Sequence, residues 1–483
     1  MNPLLFSVVV SAHAAESAFW LTAMLVWKYL NRLILPLGIA MRLAGLTASP
    51  LWYDEAWSLY LARLPLLPMV RVAALDFSPP LWELIVWPFI RAFGPEFGLR
   101  LPALLFSLIS LWLAYEITRL LQFDAAERFV GMSLAALLPY QFYAAQDGRM
   151  YAMQSAIYLA AIIFALRGRW LGLTACCGLL LYTHATGAFY TTTALAVALL
   201  QHRHRWRAWT ASGAVAAVAL LPWLPAYLHA SDKHHWLTDL SPGLILAAIY
   251  RIHFVDTLPW PAYGMAVVAA SMIAAAVVSL RRLRTNRYPA ILALAATGPM
   301  LLMVALSPVK NLLFYRPLSA MTIPLALWIG MCLPSLWRPL RYSLGLQWLA
   351  LIASGLLAWS PAAKGAELRA IAARMEGCHC VVYHATATSL LPVSVLLPGQ
   401  SHILLDDDEQ DDGLLSGDLR AAFSLQHAPL ESITDRPIYI VWARDELMSD
   451  EADRRMAAYT AGAVLIGRVN YWQAAPIEVY LLQ

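Results

Sequence analysis

The stretch from Leu51 to Leu81, LWYDEAWSLYLARLPLLPMVRVAALDFSPPL, places acidic side chains in an apolar setting. Asp54 and Glu55 are adjacent and lie among aromatic residues, and Asp76 shortly precedes a Pro-Pro pair. A carboxylate beside a bilayer costs free energy unless it is solvated, paired or used in chemistry. Aromatic side chains concentrate where a membrane meets water. The stretch therefore predicts a membrane protein with a carboxylate site just outside the bilayer.

The composition of the whole chain supports this prediction. The 483 residues are 60% hydrophobic and 13% charged, with a mean hydropathy of +0.59. Soluble domains are about 25% charged, so the chain is predicted to be a polytopic membrane protein. It contains no glycine-rich phosphate loop of the nucleotide-binding type, and we expect no nucleic-acid partner.

Basic clusters divide residues 1–360 into membrane-spanning pairs. Short loops rich in Lys and Arg stay cytoplasmic, and the apolar chain between neighbouring clusters is long enough for two spans of about 20 residues. The pattern predicts about eleven transmembrane helices with all acidic turns on the outer face. Two apolar runs, 81–93 and 244–254, are interpreted as helices on the outer face. Residues 1–30 form either an extra span or an interfacial helix.

The last part of the chain, 361–483, has a different composition. It is charged, and short β-rich runs alternate with helical stretches, which predicts a small extracytoplasmic α/β domain. Cys378 and Cys380 could form a disulfide or hold a metal. The β-rich runs are 381–383, 402–405, 438–442, 463–469 and 477–482, and the helical stretches include 364–376 and 450–461.

The turn QDGRMY, residues 146–151, carries the second candidate site. It falls at the next outer turn, so Asp147 can approach Asp54. The planar donors of Arg149 suit a phosphate group, although an Asp147–Arg149 pair closing the turn around Gly148 is an alternative.

Further candidates lie in other outer loops. Lys310 and Arg316 oppose the positive-inside trend, which indicates either an anionic ligand or contact with lipid headgroups. His184 either lines the same cavity or is a structural histidine. Tyr53 and Asp76 complete the set of cavity candidates. His234, His235 and Asp239 are too few ligands to predict a metal site.

Four motifs occur in an order that resembles the GT-C membrane glycosyltransferases. The most similar branch is the protein O-mannosyltransferase and aminoarabinose-transferase group, in its bacterial form. The motifs read LWYDEA (51–56), DFSPPL (76–81), LRLP (99–102) and QDGRMYA (146–152). One position departs from the pattern, because relatives often carry Lys before the Pro-Pro pair and this chain has Ser78.

The resemblance implies an inverting transferase in the bacterial inner membrane, with its site on the extracytoplasmic side. Its donor would be a polyprenyl-phosphate-linked sugar, and its acceptor a lipid, glycan or protein. A divalent metal is left open. By position, Asp54 would be the base with Glu55 beside it, Asp147 the second cavity acid, and Arg149, Lys310 and Arg316 the phosphate-binding residues.

Two other functions remain as alternatives. A non-enzymatic flippase or transporter of lipid-linked sugars would carry charges at the midplane and broken helices in matched halves. A scaffold with an outer sensory domain would have no reason to keep acids and cations on one side. The chain has its charges clustered at one face and no repeated halves, which favours the transferase.

Overall fold

The computed structural model describes most of the chain from residue 33 onward. The described residues are 33–75, 79–229, 240–255, 258–308, 313–359, 367–376, 380–406, 417–429, 438–443, 454, 457, 460–469 and 477–482. The predictions for residues 1–30, Asp76, Lys310, Cys378 and the 234–239 segment lie outside these residues.

In the apolar part of the chain, the regular secondary structure of the described residues is helical. Its helices are α1 (Leu33–Leu43), α2 (Tyr53–Arg63), α3 (Leu66–Ala73), α4 (Leu81–Phe93), α5 (Pro95–Leu120), α6 (Ala125–Leu137), α7 (Pro139–Ala145), α8 (Tyr151–Arg167), α9 (Trp170–Thr183), α10 (Gly187–Gln201), α11 (Trp206–Leu220), α12 (Leu224–His229), α13 (Pro242–Phe254), α14 (Pro261–Arg282), α15 (Tyr288–Leu306), α16 (Thr322–Cys332) and α17 (Arg338–Ala358). Short 3₁₀ turns cover Arg203–Arg205, Arg316–Met321 and Leu333–Ser335.

Several of these helices are long and apolar enough to cross a membrane. Among the described residues there are five, and they are α5, α14, α15, α17 and the segment Arg316–Ser335 that contains α16. Helices α9 and α10 have 14 and 15 residues, which is shorter than the ~20 needed to cross the ~30 Å hydrocarbon layer. The 170–200 pair is thus as short as predicted, and the number of about eleven spans stays a prediction.

Both runs interpreted as outer-face segments form helices of 13 residues. In α4, one face is buried at Trp82, Glu83, Val86 and Ile90, the spacing that packs a helix against a neighbour. Helix α4 ends at Gly94, whose φ of +81° turns the chain directly into α5.

A buried arginine and a glutamine fix α1 to the helices around the site. Arg42, fully buried, donates from Nε to Ser107 Oγ (3.0 Å) and from Nη1 to the Ala136 carbonyl (2.7 Å). Gln146 donates from Nε2 to three carbonyls at the end of α1, at 2.7 to 3.1 Å. The first residue of the 146–151 turn therefore caps α1, because the last carbonyls of a helix have no partner within it.

The C-terminal part forms a six-stranded sheet in the order β3-β2-β1-β4-β6-β5. The strands β1 to β4 are parallel, and β6 pairs antiparallel with both β4 and β5. The elements are α18 (Glu367–Met375), β1 (Val381–His384), α19 (Ala387–Leu396), β2 (Ser401–Asp406), α20 (Gly417–Ala422), β3 (Gln426–Pro429), β4 (Ile438–Ala443), β5 (Val464–Val469) and β6 (Ile477–Leu482). The α/β prediction is confirmed, with β3 as the strand that it lacked.

This α/β part packs directly on α2. The Tyr60 hydroxyl lies 2.7 Å from Ser394 Oγ of α19, and the Trp57 ring meets Phe423 edge-on at 5.2 Å between centroids. Arg369 of α18 forms an ion pair with Glu96 at 2.6 Å. The helix that carries the two adjacent acids is therefore held between the membrane part and the sheet.

Candidate active site

Glu55 lies in a fully buried ion pair with Arg100 of α5. Arg100 donates from Nε to Oε1 (2.7 Å) and from Nη2 to Oε2 (2.6 Å), and both side chains are at most 1% exposed. The same guanidinium also donates to the carbonyls of Leu46, Ser49 and Pro50. A bidentate, desolvated pair of this kind fixes geometry, so it locks the entry of α2 against α5.

Gly148 brings the second acidic turn against the same carboxylate. Its backbone N–H donates to Glu55 Oε1 at 2.7 Å, and its carbonyl accepts from Trp82 Nε1 at 3.0 Å. A Cβ at this position would lie 2.6 Å from Leu99 Cγ. Only glycine fits such a close approach without displacing a neighbour.

Asp54 is the acid that solvent can reach. Its side chain is 23% exposed, whereas Glu55 and Asp147 are fully buried. Arg316 Nη1 donates to Asp54 Oδ2 at 2.8 Å, and Arg316 Nε donates to the Tyr315 hydroxyl at 3.1 Å. Asp54 and Arg316, which are 262 positions apart in the chain, are thus joined in a direct ion pair.

Trp52 connects this ion pair to Asp147. Its indole Nε1–H donates to Asp147 Oδ1 at 2.8 Å, and the Arg316 guanidinium carbon lies 4.3 Å from the ring centroid. That distance is within the range of a cation–π contact. The two acids expected in one cavity, Asp54 and Asp147, are therefore joined through Trp52 and Arg316.

Arg149 also contacts α2. Its Nη1 donates to Ser58 Oγ (2.6 Å) and to the Asp54 carbonyl (3.1 Å), and Ser58 Oγ donates to Glu83 Oε1 at 3.1 Å. Burial lowers the pKa of Arg149, but Asp54 and nearby acids raise it by more, so the net pKa lies above its usual value and the group stays cationic.

Sequence reasoning missed Ser58 and Glu83. The available signal was Glu83 itself, the one acid in the mostly apolar run 81–93, since buried acids beside a membrane are paired or functional. It also missed Arg251 of α13, whose guanidinium lies 5.5 Å from the centroid of the Tyr315 ring. Arg316 lies 5.8 Å from the same ring, so two cations flank Tyr315.

The remaining candidates lie nearby or outside the described residues. The His184 ring is 6.3 Å from that of Tyr151, and its Nδ1 accepts from the Thr186 backbone N–H at 3.1 Å, which fits the structural alternative. Tyr53 packs its ring 6.4 Å from Trp57. Asp76 and Lys310 fall outside the described part of the chain.

Within the described residues, no cluster of three His, Cys, Asp or Glu side chains is placed to hold a metal ion. Cys380 is disulfide-bonded, and Cys378 lies outside the described residues. The site therefore combines the partly exposed Asp54 with arginines and with three buried acids, which are Glu55, Glu83 and Asp147. This arrangement is suited to handling an anion and a proton.

Comparison with solved structures identifies the fold. ArnT from Cupriavidus metallidurans in the apo state aligns with a TM-score of 0.61 and 14% identity, over 95% of this chain and 98% of that one. The chain has the GT-C fold. ArnT bound to undecaprenyl phosphate aligns with a TM-score of 0.59 and 13% identity, over 93% of this chain and 97% of that one.

A weaker likeness is to arabinofuranosyltransferase AftD from Mycobacteria, with a TM-score of 0.42 and 14% identity, over 94% of this chain and 41% of that one. No family model and no curated protein matches the sequence. The fold, together with the five long apolar helices among the described residues, confirms the polytopic membrane architecture that the composition predicted.

Proposed function

We propose that the protein is an inverting glycosyltransferase, which moves a sugar from a polyprenyl-phosphate donor to an acceptor on the extracytoplasmic side of the bacterial inner membrane. The observation that carries the proposal is the Asp54–Arg316 ion pair, in which the Asp54 side chain is 23% exposed. The GT-C fold supports it, because an ArnT structure of the same fold is bound to undecaprenyl phosphate.

In this proposal Asp54 is the general base. An acceptor hydroxyl or amine attacks the anomeric carbon from the face opposite the phosphate, and Asp54 takes its proton as the new bond forms. The bond from the anomeric carbon to the phosphate oxygen breaks, and the lipid phosphate leaves as an anion. A single displacement of this kind inverts the anomeric centre.

Arginines stabilise the leaving phosphate. Arg316 is only 12% exposed and is already charged, so it can meet the developing negative charge without reorganisation. Arg251 lies beside Tyr315, which Arg316 also contacts, and Arg149 lies beside the Asp54 backbone. A donor phosphate that binds Arg316 competes with Asp54 for it, and this competition would free the carboxylate to act as base when the donor is in place.

Glu55 and Asp147 have supporting roles in this proposal. Glu55 accepts from Arg100, Gly148 and the backbone N–H of Trp52, so its oxygens are occupied by the fold. Asp147 is fully buried and held by Trp52. We therefore assign the proton transfer to Asp54 alone, with a lipid, glycan or protein as the acceptor.

The variant Asp54→Asn tests the assignment. It keeps the size of the side chain and an acceptor oxygen for Arg316, but it cannot take a proton. We expect transfer from a polyprenyl-phosphate sugar to fall by at least about a hundredfold, while binding of undecaprenyl phosphate is retained. The assay is single-turnover transfer in nanodiscs, with binding measured in parallel.

Glu116→Gln is the matched control, because Glu116 is a 17% exposed acid that pairs with Arg119 and Arg167 away from the site. It should behave as the wild type. Full transfer activity in Asp54→Asn would rule out the proposed base. Donor binding without transfer to any acceptor, in the wild type, would favour the transporter.

A further inference from the structure

Trp52 contacts the polar site and the C-terminal α/β part at once. We propose that Trp52 is a positioning residue through which the α/β part sets the geometry of Asp147 and Arg316. The inference rests on the proposed function, and it gives the α/β part a role in the transfer step that the sequence left open.

The apolar contacts of Trp52 belong to the α/β part. Trp52 is 7% exposed and lies in a buried cluster with side chains of α18, α19 and the sheet. Among the members of this cluster are Leu368, Met375, Val393, Tyr439 and Val479. The indole is thus packed in the core of the α/β part, although it belongs to the N-cap residue of α2.

The polar contacts of Trp52 belong to the site. Its backbone N–H donates to Glu55 Oε2 at 3.3 Å, which ties the residue to the buried ion pair. Its Nε1–H holds Asp147 at 2.8 Å, and its ring face supports Arg316, which in turn holds Asp54 at 2.8 Å. A change in how the α/β part seats the ring would therefore move Asp147 and Arg316 together.

The hydrogen bond to Asp147 can be removed without the ring contact to Arg316, and a second variant removes both. Trp52→Phe keeps an aromatic face for Arg316 and most of the packing, but it removes the N–H donor to Asp147. Trp52→Leu removes the donor and the face. Leu368→Val is the control, because it trims the same apolar cluster and touches neither polar contact.

The first readout is hydrogen exchange of residues 146–151 and 316–321 in the full-length protein, which needs no substrate. We expect Trp52→Phe to raise exchange in 146–151 by about tenfold, since the buried hydrogen bond from Trp52 to Asp147 is lost, and Trp52→Leu to raise it in both segments. Leu368→Val should leave both segments as in the wild type.

The second readout is kinetic. Trp52→Phe should lower kcat by about tenfold with little change in undecaprenyl phosphate binding, and Trp52→Leu should also weaken that binding by about tenfold. The inference would be overturned if both Trp52 variants showed the same hydrogen exchange and the same kinetics as Leu368→Val. Raised exchange in a protein whose wild type binds no undecaprenyl phosphate would support the positioning role and overturn the proposed function.

Discussion

Replacing Glu55 by Gln should destabilise the protein far more than an ordinary loss of an ion pair. The change leaves Arg100 charged, buried and without its carboxylate, and removing one partner of a buried pair costs about 3–5 kcal/mol. Arg100 keeps three carbonyl acceptors at 2.9 to 3.0 Å, which offset part of that penalty. We therefore expect a cost of about 3 kcal/mol, at the lower end of the range.

The assay compares unfolding of Glu55→Gln and Glu116→Gln in the same detergent. The partners of Glu116 are 37% and 60% exposed, and an exposed pair contributes about 0–1 kcal/mol. The unfolding midpoint of Glu55→Gln should therefore fall clearly below that of the control. Replacing both partners, as Glu55→Leu with Arg100→Met, should recover much of the loss because no charge is left buried.

Two results would refute this reasoning. A midpoint for Glu55→Gln equal to that of the control would mean that the ion pair does not hold the fold. A stable Glu55→Gln protein that has lost transfer would instead make Glu55 a catalytic acid.

Two further predictions concern the second turn and the sheet. Gly148→Ala should lower the free energy of unfolding by about 1–3 kcal/mol and reduce transfer, because its Cβ would lie 2.6 Å from Leu99 Cγ. Gly178→Ala is the control and should be neutral, because nothing lies within 4 Å of its Cβ. Equal unfolding midpoints for the two variants would contradict this prediction. Burial lowers the pKa of both His384 and His402, and His384 Nε2 lies 2.9 Å from His402 Nδ1. Both side chains are therefore neutral at pH 7. Their contribution to stability is present above the ordinary pKa of about 6.5 and is lost as the pH falls below it. The midpoint of the wild type should therefore drop more between pH 7 and 5 than that of His402→Gln, and parallel pH profiles would count against the histidine pair.

Sequence patterns predicted the elements whose signal is local. The runs at 381–383, 402–405 and 438–442 became β1, β2 and β4, since a short β-rich run between turns needs no distant partner to be recognised. Strand β3 was missed because Gln426–Pro429 has only four residues and ends in proline. Its place in the sheet depends on its parallel pairing with β2, which no local pattern carries.

The polar site shows the same limit more sharply. The motifs and the distribution of charged loops predicted that Asp54, Asp147, Arg149 and Arg316 lie on one side of the membrane, but they did not predict which side chain contacts which. The hydrogen bond between Ser58 and Glu83 depends on the packing of α4 against α2, and the Arg100–Glu55 pair joins residues 45 positions apart. Such contacts follow from tertiary packing, so a single sequence predicts several of the residues in the site but not which of them contact each other.

The division between the two adjacent acids follows from helix geometry. Asp54 and Glu55 lie in the first turn of α2, where successive side chains point about 100° apart because the helix has 3.6 residues per turn. Only one of them can face the core, and Glu55 does so with four donors from Arg100, Gly148 and Trp52. A carboxylate with its lone pairs so occupied is a poor proton acceptor, whereas Asp54 faces outward and has one arginine that an incoming phosphate can draw away. The proposed chemistry at Asp54 therefore depends on Glu55 being fixed in place by the fold.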